Sequence, residues 1–201
     1  MRDQIIQEII KKQDEILLKI TQESVDVYLF LKNEYKKGNI KNNTLFQFVF
    51  RSFYRLDNAG LSDEIKNHYF ELMAEGKNNL EDILLELYEF KNSKNQKTIQ
   101  FSFATKLLHT LDNSKPIFDA EVSRVFHKSR QGKTKDEKIK SCVSIYEFLK
   151  SAYSDLLQDE KIKKIILKFR SDFNVEDKNE MSDTKVLDFI IWSLGKIKNK
   201  K

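Results

Sequence analysis

The chain has 201 residues, 40% of them hydrophobic, with fifteen Phe but only five Gly and one Pro. That is enough apolar material for one substantial core and too little turn material for a many-stranded fold. Its single cysteine, Cys142, excludes an internal disulfide, and with three His it offers no zinc-ligand spacing, so a metal-free, cofactor-free protein of a reducing, cytoplasmic compartment is expected. No run approaches the roughly 18 apolar residues of a membrane span, and the N-terminus opens an amphipathic helix rather than a signal peptide, so no membrane partner is expected. The net charge of +5 is uneven: residues 101–201 carry +6 and residues 1–100 carry −1. A positive C-terminal half suits a phosphate backbone, although lysine-rich surfaces also serve solubility.

The apolar periodicity predicts an all-α chain. Residues 2–37 read as one or two amphipathic helices, with Ile5, Ile6, Ile9, Ile10, Ile16, Leu17 and Ile20 in one stripe and Val25, Val27, Tyr28, Phe30 and Leu31 in another, ended by Gly38-Asn39. Thr44 is a candidate cap for a helix bearing Leu45, Phe46, Phe48, Val49, Phe50 and Phe53, whose nearly all-round apolar surface predicts a central, buried position. A loop from Tyr54 to Ser62 follows, in which Tyr54, Arg55 and Asn58 are candidates for contacting a base, although Asp57, Asn58 and Gly60 also suffice for a turn. Ser62 is placed to cap a helix over about 62–75, and a further helix spans about 79–91. The connector after it is polar and basic, with Lys94, Lys97 and Thr98 as candidate phosphate contacts.

Residues 98–126 are the organising stretch. Phe103, Leu107, Leu108 and Leu111 form one stripe of a short helix; Asp112-Asn113-Ser114 breaks it, and Pro116 biases Lys115 away from helical geometry. Asp119 then stands between the apolar pair Ile117-Phe118 and a run with Val122, Val125 and Phe126 on one face, the position of a helix N-cap. Arg124, Lys128, Arg130 and Lys133 continue a basic face, and Gly132-Lys133-Thr134 lacks the upstream glycine of a nucleoside-triphosphate loop. Helices over about 136–158 and 160–173, an acidic break over 174–182 and a last helix from Asp183 complete the chain, with a basic tail from Lys196 to Lys201 expected to fray.

A helix ending in Leu111-Asp112, a short connection, then Ile117-Phe118-Asp119-x-x-Val122-x-Arg124-Val125 resembles the end of the helix-hairpin-helix motif in DNA glycosylases, in particular the 8-oxoguanine DNA glycosylase branch. The arrangement Leu187-Asp188-x-x-x-Trp192-x-x-Gly195 resembles that branch's C-terminal helix, which helps wall the base pocket. The resemblance implies a compact, two-lobed, single glycosylase-like unit of about 1–95 and 96–201. It also implies a catalytic role for Asp119 and a base pocket drawn from Gln100, Phe101, Ser102, Phe103, Lys106, Tyr54, Asn58 and Trp192. Two departures matter. The hairpin glycine pair is replaced by Gln100-Phe101-Ser102, and the Schiff-base lysine of bifunctional members falls near Ser102, with Lys106 one turn further on. The implied activity is therefore monofunctional excision of a modified or damaged base from double-stranded DNA by a monomer, in repair or in defence against phages with modified DNA such as modified cytosine. The rival expectation is a non-enzymatic helical nucleic-acid-binding protein in which Asp119 is only a cap and Trp192 only core.

Overall fold

Side chains able to accept a hydrogen bond from the next turn open most of the helices. In the computed structural model, which describes residues 1–199, the elements are α1 (Arg2–Lys11), α2 (Gln13–Lys19), α3 (Gln22–Lys36), α4 (Thr44–Phe53), a 3₁₀ turn (Asp57–Ala59), α5 (Asp63–Ala74), α6 (Leu80–Tyr88), α7 (Phe101–Leu111), α8 (Ala120–Phe126), α9 (Lys135–Leu157), α10 (Glu160–Asp172) and α11 (Asp183–Lys198). Thr21, Asn43, Ser62, Asn79, Asp119, Asp159 and Ser182 each accept from a backbone N–H of the following turn, and Thr134 with Glu137 closes a capping box on α9. No strand occurs among the described residues, as the scarcity of turn residues leads one to expect.

The helices pack around one continuous hydrophobic core. Helix α3 lies on α4, α5 on α6, α7 against both α5 and α6, and α6 against α9. Helix α11 is central and touches α8, α2, α9 and α10, while α1 packs on α9 and α10. The segment between α10 and α11 is pinned by the buried Arg170, whose guanidinium donates to the carbonyls of Val175 (2.9 Å) and Met181 (2.7 Å) and to Asp183 Oδ1 (2.7 Å).

Helix α11 approaches α8 so closely that no side chain fits between them at one point. A Cβ on Gly195 would lie 2.5 Å from the Glu121 carbonyl oxygen and 2.7 Å from Glu121 Cβ. Glu121, itself buried, is held by Arg124 and by Lys196 at 3.3 Å.

Four expectations are corrected. The first 37 residues form three helices, broken near Lys12 and Ile20. Asn43, not Thr44, caps α4. That helix is not buried all round: Phe46 and Phe50 are, but Leu45 and Phe48 are 57% and 60% exposed. The other helices cover only the 46/50 side of α4, so apolar composition on its outer face does not translate into burial. The tail is ordered further than its charge implies, because Lys196 and Lys198 pair with Glu121 and Glu8 and continue the helix. Residues 200–201 lie outside the described residues.

Candidate functional site

The connection between α7 and α8 is built to present Asp119. Thr105, fully buried, accepts the Phe118 N–H at 3.0 Å and donates to the Ser102 carbonyl at 3.0 Å, so it clamps the residue before Asp119 onto α7. Phe101 stacks on Phe118 at 4.5 Å between ring centroids. On the other side His109 Nδ1 donates to the Lys115 carbonyl (2.7 Å), and Ser182 Oγ donates to that of Asn113 (2.5 Å). With the connection fixed at both ends, one Asp119 oxygen, Oδ1, accepts the N–H groups of Glu121 and Val122, both at 2.9 Å. Its second oxygen receives no hydrogen bond from the described residues.

Asp119 lines a cavity of about 230 Å³ together with Lys19 and Ile20 at the end of α2, Ser24 of α3, Phe53, Tyr54 and Arg55 from the end of α4, Lys106 of α7, Ile117, and Lys185, Asp188, Phe189 and Trp192 of α11. The cavity thus draws its walls from α2, α3, α4, α7 and α11 and from the connection before α8. Its walls bring together two carboxylates, Asp119 and Asp188, and two buried lysines, Lys106 and Lys185, with Lys19 and Arg55 beside them. Lys106 Nζ donates to the Tyr54 carbonyl at 3.2 Å and lies 4.8 Å from the Phe103 ring centroid. Burial pulls its pKa down to about 8, opposed by the nearby Asp119 and Asp188. Burial likewise pushes the Asp119 carboxyl above the usual carboxylate range, against the pull of the Val122 amide and of Lys106. Lys185 and Asp188 pair at 2.8 Å. Arg55, whose side chain forms no ion pair among the described residues, has φ +59°, a left-handed conformation that a non-glycine residue adopts only under local constraint.

A wider groove of about 520 Å³ lies on the other side of Tyr54, rimmed by Tyr28, Lys32, Tyr35, Lys36, His109, Asp112 and Lys178. It is roomier, but no carboxylate stands beside a buried amine in it. The smaller cavity concentrates the chemistry.

Of the residues read from sequence, Asp119, Lys106, Tyr54, Arg55 and Trp192 converge on this cavity; Trp192 is half-buried at its wall rather than in the core. Phe103 supports Lys106 from beneath. Gln100 donates to Thr98 Oγ1 at 2.7 Å, Phe101 is occupied by Phe118, Ser102 contributes its carbonyl to Thr105, and Asn58 is exposed in the 3₁₀ turn; these four do not line the cavity.

The two basic loops meet each other. Arg130 donates to the Ile99 carbonyl at 3.0 Å, and Lys97 and Lys135 share Glu89 at 2.8 and 3.3 Å. Arg124 is paired with Glu121 and Lys128 lies 4.3 Å from the Phe148 ring centroid, whereas Lys94 and Lys133 are exposed and without ion pairs among the described residues.

The reading from sequence missed Thr105, Lys185 and the role of Asp188. The signal was present: Lys185 and Asp188 are charged positions inside a helix whose other residues from Val186 to Ile191 are apolar and buried. No protein family, curated protein or solved structure matches this chain.

Proposed function

We propose that this protein is a DNA glycosylase that draws a modified or damaged base out of double-stranded DNA and hydrolyses its N-glycosidic bond, in repair or in defence against modified phage DNA. The observation that carries this reading is Asp119: one carboxylate oxygen is tied to two helix amides, and the residue lines a cavity of about 230 Å³ with aromatic walls. Extruding a base costs a few kcal/mol of stacking and pairing, and Tyr54, Phe53, Phe189 and Trp192 offer surfaces to receive it. As the glycosidic bond breaks, positive charge develops on the deoxyribose. A carboxylate already oriented by backbone amides stabilises that charge without reorganising, and its free oxygen orients the attacking water and takes its proton. Helix α7 followed by a fixed turn into α8 supports the glycosylase-like reading. The joined loops bearing Lys94, Lys97, Arg130 and Lys133 form the proposed phosphate-contacting face.

The test is incubation with genomic DNA from cells and from phages with modified bases, followed by mass spectrometry of released bases. Release by the native chain and its loss in Asp119→Asn, which keeps a capping oxygen, is the expected result. Release of no base, with salt-sensitive DNA binding retained, favours the non-enzymatic nucleic-acid-binding protein.

One observation favours a second reading, in which strand cleavage follows excision. Lys106 shares the cavity with Asp119 and, with its pKa lowered to about 8, is partly in the nucleophilic amine form near neutral pH. In that reading the amine attacks C1′, the base leaves with the glycosidic electron pair, and loss of the nitrogen proton opens the sugar to an imine. Borohydride then traps a covalent adduct, and the rate rises with pH through about 8. Absence of an adduct leaves the hydrolytic route.

A further inference from the structure

The groove on the far side of Tyr54 takes no part in the chemistry of Asp119, yet its walls differ from an ordinary solvated seam. On α3, Tyr28, Lys32, Tyr35 and Lys36 follow at i, i+4, i+7 and i+8, one stripe of the helix, and all four line the groove. Lys178, from the segment before α11, lines it too and pairs with Asp183 at 2.7 Å. The only carboxylate among the described residues lining it is Asp112, whose Oδ1 is engaged by the Ser114 amide (3.0 Å) and hydroxyl (2.6 Å). Lys32 is half-buried and donates to the carbonyls of Asn179 and, at 2.8 Å, Glu180. Those partners hold the ammonium in place without neutralising it and leave one of its three N–H groups unused. Burial and the neighbouring Lys36 pull the Lys32 pKa down, against the more distant pull of Asp177 and Glu180.

Two hydroxyls in the same walls also have unused bonding capacity. Tyr28 and Tyr54 are 5% and 8% exposed. The Tyr54 hydroxyl forms no hydrogen bond among the described residues. That of Tyr28 stands 3.4 Å from His109 Nε2, a long contact, with Asn113 close by. Buried polar atoms of this kind normally find a partner, in the chain or outside it.

We infer that this groove is a second ligand site, for a nucleoside monophosphate. The phosphate dianion takes the remaining Lys32 N–H and the Lys36 ammonium, with Lys178 at the rim. Two cations one helical turn apart suit a dianion with several acceptor oxygens better than a single carboxylate. The flat ring lies against Tyr35, within the walls that Tyr28 and Tyr54 complete. Stacking of this kind tolerates any base, because every base has a π-face. The volume of about 520 Å³ falls within the roughly 300–1,000 Å³ of small-molecule sites. The inference goes beyond base excision and does not depend on it: groove and cavity share Tyr54 but no lysine or arginine.

The test is calorimetric titration of the full chain with deoxyguanosine 5′-monophosphate, with deoxyguanosine and inorganic phosphate as the two half-ligands. The monophosphate is expected to bind at least about 10-fold more tightly than either half, and less tightly as salt rises. Lys36→Glu, at an exposed position, should weaken binding by about 10-fold or more, and Lys32→Gln likewise, with Tm recorded for both. Lys140→Glu, the same charge change at an exposed position of α9 outside the groove, should leave the affinity as it is. A 5′-phosphorylated trinucleotide that displaces the monophosphate assigns the end of a strand as the source; no displacement assigns the free nucleotide. No binding, an affinity no better than that of phosphate alone, or an affinity that Lys36→Glu leaves unchanged overturns the inference, and none of these bears on base release. Absence of base release with the groove titration intact overturns the excision reading alone.

Discussion

The two carboxylates of the cavity are stabilised in opposite ways. Asp119 sits at the start of α8, where backbone amides satisfy one oxygen and leave the other open; Asp188 sits within α11, where the backbone is already bonded and only a side chain, Lys185, can pair with it. A charge at a helix end needs no partner of opposite sign, so its free oxygen is available for chemistry. A charge within a helix comes with its countercharge, so what it offers a ligand is a donor and an acceptor together. The cavity therefore holds the same residue type in two settings, one with an open oxygen and one with its countercharge.

Asp119→Asn should break the comparison most sharply: on the proposed base-excision function, excision falls by about 10³-fold or more, roughly 4 kcal/mol of transition-state stabilisation. Its stability should hold or rise slightly. The carboxyl's pKa is raised in the folded chain, so above the ordinary carboxylate range burial of the charge costs folding free energy that the amide does not incur. Single-turnover kinetics beside thermal unfolding checks both halves. Next in size is Gly195→Ala, which pushes a methyl into the Glu121 peptide and should cost about 1–3 kcal/mol of stability, read as a lowered Tm, together with a loss of excision as α8 shifts against α11. Thr105→Val, which keeps the shape but orphans the Phe118 N–H, should cost about 1–3 kcal/mol and slow excision, whereas Thr105→Ser should restore most of both.

Two further contrasts are in pH. Burial holds His109 neutral by pulling its pKa to about 3. The unfolded chain, with an ordinary histidine, binds the proton first on acidification, so stability is lost as pH falls from about 6.5 towards 3. Lys106 acts in the alkaline window. Its folded pKa of about 8 lies below the unfolded value near 10.5, so its burial becomes less costly as pH rises between the two. Denaturant titrations at several pH values, with His109→Gln and Lys106→Met as controls, separate the two slopes.

What was legible in the sequence was local. The Asp119 cap, the Ser62 cap and the helical stripes depend on neighbours a few residues away, and all appear in the structure. What depends on packing between distant segments was not legible. The apolar face of Leu45 and Phe48 reads as core but lies open, because nothing in its own ten-residue helix says which side the chain will cover. Lys185 stands out as a charge in an apolar helix, but that Tyr28 and Phe189 close over it is set by packing between distant segments. Thr105, which clamps Phe118 from 13 residues away, carries no signature that distinguishes it from any helical threonine. For the same reason Gln100 and Phe101, adjacent in sequence to the organising segment, are spent on holding it rather than on lining the cavity.

The bare contact between Gly195 and the Glu121 peptide has a longer reach than its size implies. Two helices that meet through main chain have no deformable spacer between them, so their spacing is set by covalent geometry rather than by the choice of nearby residues. The outward faces of both can drift freely in composition while the span from one acidic group to the other keeps its gauge.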